Sequence, residues 1–281
     1  MKTPKRLLPL IEEGLIDNVV RQLMSGKEAT VFVVRCGEEL RCAKVYKEAA
    51  QRSFQQAAIY QEGRRVKNSR QARAMENGSR YGKKMAEEAW QQTEVDALYR
   101  LAHAGVRVPK PYICFEGVLL MELICDAEGQ VAPRLNDVEL TAETARRYHQ
   151  EILHQIMLML CNGEIHGDLS EYNILIDQHG PVIIDLPQVI TASGNNEAAA
   201  LLVRDVDNIT RFLSTVATDL IGTQYGLEIW NLYKQGLLTP HAQLTGVVEA
   251  PTTVVDVDAV LDEIEQAYFE EQERLRRIAA L

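Results

Sequence analysis

The sequence is poor in the features that would place it outside an ordinary globular protein. It has five cysteines (Cys36, Cys42, Cys114, Cys125 and Cys161) and no Cys-x-x-Cys pair among them. That excludes a spaced zinc site, and the odd, scattered set points to reduced thiols in a cytosolic protein. No apolar run is long enough to span a bilayer, so no membrane contact is expected. The basic start Met1-Lys2-Thr3-Pro4-Lys5-Arg6 has no signal-peptide core behind it. No internal repeat is visible. Positive charge is also short: the net charge is −10, so any nucleic-acid contact has to be local. What remains is 281 residues, 46% hydrophobic and 25% charged, enough for one two-lobed unit or two small domains.

The most informative stretch runs from Glu164 to Asp185. Two apolar runs, 174–176 and 182–184, flank the turn former Asp177-Gln178-His179-Gly180, which predicts a β-hairpin. Residues just before one strand and just after its antiparallel partner lie side by side. Asn173 and Asp185 are therefore expected to meet, with Asp168 upstream on a loop. A carboxamide and a carboxylate that converge are hard-oxygen ligands suited to Mg²⁺ that also touches phosphates. Asp168 could accept or position a hydroxyl proton. The plainer alternative is a surface hairpin with ordinary polar ends. The spacing matches the catalytic loop and metal-binding Asp of the protein-kinase signature set.

Upstream, residues 7–24 show apolar positions at helical spacing with a break at Gly14, and Asp17 is a candidate N-cap for a second helical piece. Ser25-Gly26 reads as a turn, Thr30–Val34 as a strand, and Arg41–Tyr46 as another strand with Lys44 in its middle. Two strands joined by a glycine-containing turn can arch over a polyphosphate. There is one glycine here, not Gly-x-Gly-x-x-Gly. Lys44 lies between Ala43 and Val45, so it must reach solvent or pair with a carboxylate. A helix over Met85–Ala102 offers Glu94 as the candidate partner, with Glu87 and Glu88 as competitors.

Between them, residues 62–84 carry eight basic residues, including Arg64, Arg65, Lys67 and Arg70, against Glu62 and Glu76. This reverses the sign of the whole chain and suits either a solvated loop or contact with RNA phosphates or an acidic partner. Tyr112–Phe115 and Gly117–Leu123 form a second expected hairpin, ending in Met121-Glu122-Leu123-Ile124. Backbone there could meet an adenine edge if it joins two lobes. Thr141 caps a helix expected to run to Asn162. Helices follow over Glu197–Ala217 and, with charges matched to its dipole, Asp256–Ile278.

Taken in order, Ser25-Gly26-Lys27-Glu28-Ala29, Lys44, Glu94, Met121–Ile124, His166–Leu175 and Ile184–Gln188 closely resemble the RIO family of atypical protein kinases, over roughly residues 5–220. The resemblance implies an α+β, two-lobed kinase-like fold with a small β-rich N-lobe and a mostly helical C-lobe. The expected division is an N-terminal helical extension (1–24), an N-lobe (25–122) with a basic insertion at about 47–84, and a C-lobe with a C-terminal helix (123–281). No winged helix is expected before residue 20. By the same resemblance, Asp168 is the catalytic base and Asn173 and Asp185 hold the metal. Lys44 grips nucleotide phosphates and pairs with Glu94. Ser25, Gly26 and Lys27 form the phosphate loop, and Glu122 and Ile124 supply hinge backbone bonds.

ATP with Mg²⁺, or Mn²⁺ in its place, is the implied nucleotide. In the family the metal-binding Asp can take the γ-phosphate, which the resemblance extends to Asp185. Members help mature the small ribosomal subunit, often as ATPase switches, which makes a ribosomal particle an expected partner of the basic loop. Three departures from ordinary kinases stand out. Gly167 replaces an Arg, Leu186-Pro187-Gln188 follows the metal Asp, and no Ala-Pro-Glu is found. Expected activities are therefore self-phosphorylating serine/threonine kinase, ATPase switch, or small-molecule phosphotransferase of the aminoglycoside-kinase type. Ser25–Ala29 and Leu186–Gln188 argue against the last.

Overall fold

A computed structural model describes residues 3–26, 29–47 and 80–248, with the backbone alone for 80–91. The basic stretch 62–79 and the helix expected over Asp256–Ile278 lie outside the described residues, as does Lys27. In chain order the elements begin with α1 (Leu8–Glu12), β1 (Asn18–Ser25), β2 (Ala29–Cys36), β3 (Glu39–Tyr46) and α2 (Arg80–His103). They continue with β4 (Pro111–Phe115), β5 (Val118–Glu122), α3 (Ala142–Cys161) and β6 (Glu164–Ile165). The last are β7 (Ile174–Asp177), β8 (Gly180–Ile183), β9 (Ile190–Thr191), α4 (Ala198–Ser214) and α5 (Tyr225–Lys234).

The first five strands form one antiparallel sheet in the order β1-β2-β3-β5-β4. Alternation sorts its side chains to two faces. Phe32, Val34, Ala43, Val45, Val118 and Leu120 pack with Leu7, Leu10 and Ile16 of the N-terminal segment. Ala29, Tyr46 and Leu119 face the other way, into the cluster that holds Val95, Leu98 and Leu101 of α2. The sheet is thus covered on one side by α1 and on the other by α2.

The helical reading of residues 18–24 is corrected: they form the edge strand β1. Its register slips between Val19 and Arg21 and again between Gln22 and Met24. Each slip inserts one residue, Val20 or Leu23, and the bulges break the two-residue alternation. The resulting spacing of Val19, Val20 and Leu23 imitates a helix. Asp17 is no helix cap; its carboxylate accepts the Gly37 N–H at 2.6 Å across the β2–β3 turn.

The helical half is built on α3 and α4. Thr141 caps α3 by accepting the Thr144 N–H, and Gly163, at φ 76°, ends it in a conformation that favours glycine. Leu202, Val206, Ile209 and Leu213 recur at helical spacing along the buried face of α4. The hairpin β7–β8 forms with the expected turn, Asp177 opposite Gly180. Among the described residues no helix is long and apolar enough to cross a membrane.

Candidate catalytic centre

The hairpin determines which residues meet. The Ile184 N–H donates to the Asn173 carbonyl at 3.0 Å, which closes the open end of β7–β8 and sets Asn173 beside Asp185. The Asn173 side-chain amide donates to the Asp168 carbonyl at 2.8 Å. With the NH₂ so engaged, the amide oxygen is left to serve as a ligand. Asp185 has φ 67°, in the left-handed region that non-glycine residues rarely occupy. That conformation turns the chain sharply after β8 and swings the carboxylate toward the sheet.

There Lys44 meets it. The Lys44 ammonium donates to Asp185 Oδ1 at 2.7 Å and to Glu94 Oε1 at 2.5 Å. The second oxygen of Glu94 accepts from the Tyr46 hydroxyl at 2.7 Å. Lys44 lies on β3, Glu94 on α2 and Asp185 after β8, so one ammonium joins the sheet, its covering helix and the hairpin. The Lys44 and Glu94 side chains are only 10% and 5% exposed, whereas Asp185 is 46% exposed. Burial works against charge on Lys44, yet the carboxylates of Asp185 and Glu94 hold its pKa above the ordinary lysine value. The Lys44 charge in turn holds Asp185 below the usual carboxylate range.

Asp168 is exposed, and partial desolvation raises its pKa, with Asp185 adding to the effect and Arg204 opposing it. His166 is buried and sustained as the neutral imidazole. Its Nδ1 accepts the Asp168 N–H at 3.3 Å and its Nε2–H donates to the Ile184 carbonyl at 3.1 Å. It therefore ties the Asp168 loop to the turn that carries Asp185.

Sequence reasoning missed Asp205. This residue, 1% exposed, sits within the apolar stripe of α4 and accepts two loop N–H groups. Gly167 donates to Oδ2 at 2.7 Å and Leu169 to Oδ1 at 3.1 Å. Asn208 donates to the Leu169 carbonyl at 3.1 Å, and Arg204 donates to the Gly167 carbonyl. Burial pushes the Asp205 carboxyl up to about 7 against these stabilising bonds. An acidic residue one helical turn from Leu202 and Ile209, inside a buried stripe, was the available signal.

On the roof, Ser25 ends β1, and the Gly26 N–H donates to the Ala29 carbonyl at 2.9 Å. Lys47 donates to the Gly26 carbonyl at 2.6 Å and to Ser25 Oγ at 3.1 Å. At the junction after β5, the Glu122 N–H is taken by Lys110, and the Ile124 carbonyl accepts from Ala132 at 3.0 Å. The Ile124 N–H has no partner among the described residues. Glu87 and Glu88, the competitors of Glu94, have no described side chains.

Known proteins resemble this chain in sequence and in fold. Residues 30–225 match the RIO domain family. A RIO-type serine/threonine-protein kinase Rio1 of Haloferax volcanii is 34% identical over 218 residues, covering 76% of this chain and 69% of the relative. Its namesake in Methanocaldococcus jannaschii is 32% identical over 220 residues, covering 78% and 70%. The serine/threonine-protein kinase rio1 of Schizosaccharomyces pombe is 29% identical, and the match covers only 41% of its length. Among solved structures, the Rio2 kinase–ADP/Mg²⁺–phosphoaspartate complex from Chaetomium thermophilum aligns with a TM-score of 0.54 at 18% identity, over 93% of this chain and 75% of that one. That likeness establishes the two-lobed α+β kinase-like fold.

Proposed function

This chain belongs to the RIO domain family, and we propose that it is an atypical serine/threonine protein kinase that transfers the γ-phosphate of ATP with Mg²⁺. The observation that carries the reading is the shared ammonium of Lys44, bonded at once to Glu94 and Asp185, with Asp168 exposed on the loop that Asn173 ties to the hairpin. Phosphoryl transfer needs positioning and charge neutralisation more than covalent chemistry. The donor set fits a nucleotide-borne Mg²⁺: the Asn173 amide oxygen and the second Asp185 oxygen are hard ligands. Among the described residues no cluster of three His, Cys, Asp or Glu side chains forms a dedicated metal cage. Bound there, the cation supplies neutralisation of the phosphate oxygens; Mn²⁺ has the same oxygen preference.

Each residue then has one task. Lys44 holds phosphate oxygens, and Glu94 holds Lys44. Asp168 orients an incoming hydroxyl and accepts its proton; its raised pKa moves it toward the working pH of a base. Ser25, Gly26 and Lys27 cover the phosphates, and the Ile124 N–H and Glu122 carbonyl meet the adenine edge. We place the lobe boundary near residue 122 and the protein in the cytoplasm. The basic stretch 62–84 we assign to RNA or a ribosomal particle, a contact whose affinity falls with salt.

A second reading, an ATPase switch with little protein-kinase activity, draws support from the chain after Asp185. Only residues 186–197 separate it from α4, and two of them pair as β9 with β6. That leaves little chain to dock a peptide. Incubation with γ-labelled ATP and Mg²⁺, with and without a generic protein substrate, decides between them. Acid-stable label passed to the added protein supports the kinase. Free phosphate with only a hydroxylamine-sensitive label on the chain supports the switch, working through Asp185. Neither label nor free phosphate would refute both.

A further inference from the structure

We propose that Arg134 is a phosphate-binding residue of the nucleotide cleft, contributed by the segment between β5 and α3. The inference rests on the reading of that cleft as the ATP site. The backbone around Arg134 is fixed to the floor: Arg134 forms an isolated bridge with Leu175 of β7, and the Ile176 N–H donates to the Pro133 carbonyl at 2.9 Å. Its side chain crosses to the roof, where Nη2 lies 3.3 Å from Met24 Sδ on β1, one residue before Ser25. The guanidinium thus spans the cleft at its phosphate-loop end. Its charge also contributes to the depressed pKa of Asp185.

What marks the residue is the quality of its partner. A guanidinium has five N–H donors in a rigid fork, and a thioether is a weak acceptor. Among the described residues Arg134 has no carboxylate partner, although it is half-buried. An arginine held in this way, between a phosphate-loop strand and a metal-binding carboxylate, has the geometry to take two phosphate oxygens at once. It would supply a cation from the floor of the cleft, as Lys44 does from the roof. The ligand class is therefore the polyphosphate of a nucleotide, rather than its base or ribose.

Isothermal titration of the full chain with adenosine, ADP and ATP in the presence of Mg²⁺ tests this. Arg134→Ala is expected to weaken ADP and ATP at least about tenfold, the usual scale of a lost charge-assisted bond, and to leave adenosine unchanged. Arg134→Lys should recover part of the loss, and Arg134→Gln none. If the alanine variant does not fold, the difference between the Lys and Gln variants in ATP over adenosine preference reads the same quantity. Equal weakening of all three ligands would reduce Arg134 to a packing role and overturn the proposal, as would unchanged binding. A parent chain that binds ATP no better than adenosine would instead remove the ATP reading itself, and this inference with it.

Discussion

Replacing Lys44 with methionine should destabilise the protein far more than the loss of one ion pair suggests. Lys44 and Glu94 are both nearly buried and lie 2.5 Å apart. At an effective dielectric of about 20, unit charges at that separation attract by about 7 kcal/mol. Desolvation of the two ions, several kcal/mol each, offsets most of that gain. The intact pair therefore contributes little net stability. Removing one partner leaves the desolvation cost of the other unopposed. In Lys44→Met, Glu94 would retain only the Tyr46 hydroxyl at 2.7 Å, and the expected cost is about 3–5 kcal/mol. For a chain of this size that corresponds to a fall in melting temperature of about 6–20 °C. Calorimetric melts of the parent, Lys44→Met, Glu94→Gln and the double variant would measure it as a cycle. The double variant should melt well above Lys44→Met, because no unpaired buried charge remains. A Lys44→Met variant within about 2 °C of the parent, or a double variant no better than Lys44→Met, would refute the reasoning.

Further outcomes follow from Asp168 and from Asp205, which holds its loop. Asp168→Ala should retain ATP affinity while turnover falls by about 10²–10⁴-fold, measured as phosphate released under saturating ATP; unchanged turnover would remove Asp168 from its role. Because its pKa is raised, the acidic limb of the parent pH–rate profile should lie above the ordinary aspartate value. Asp205→Asn should impair turnover, since the Gly167 and Leu169 N–H groups meet different oxygens and an amide sets an NH₂ donor against one of them. Its effect on stability has the opposite character. Folded Asp205 keeps its proton up to about 7, while the unfolded chain loses it near the ordinary aspartate value of about 3.9. Its contribution to stability therefore falls as pH rises from about 4 to about 7. Melts of the Asn variant across that range should be flatter than those of the parent, and parallel curves would count against a buried, proton-binding Asp205.

The parts legible in the sequence were those with a local signature or a forced chemical partner. The β7–β8 hairpin was readable because two apolar runs flank Asp177–Gly180, and its closure placed Asn173 and Asp185 together. Lys44 could be paired with Glu94 because an apolar strand does not tolerate an unmatched ammonium. The strand β1 was misread because its two bulges give apolar residues a helix-like spacing; only pairing with β2 distinguishes the two. Asp205 was missed for a different reason. Its partners are backbone N–H groups some 36–38 positions away, and backbone carries no sequence signal. The Arg134–Met24 contact spans 110 residues and joins elements with no shared pattern. Local periodicity yields elements and forced charges yield pairs, whereas contacts made by backbone or across the cleft appear only once the chain is folded.

The two partners of Lys44 also differ in a way that bears on how the site is assembled. Glu94 is 5% exposed and is held from its far side by Tyr46, whereas Asp185 is 46% exposed. An ammonium has three donors, and these carboxylates take two of them. The third is available to a phosphate oxygen without breaking either bond. Glu94 is therefore a fixed anchor, buried with its lysine in one hydrogen-bonded unit of sheet and helix. Asp185 is the accessible partner, with one oxygen on Lys44 and, on the proposed reading, the other meeting the cation. The left-handed backbone at Asp185 is what permits this double role, because it turns the carboxylate back toward β3 immediately after β8 ends. The hairpin, the strained turn and the buried glutamate together fix a single lysine between two carboxylates of unequal exposure, and on the proposed reading that inequality separates holding the lysine from binding the nucleotide.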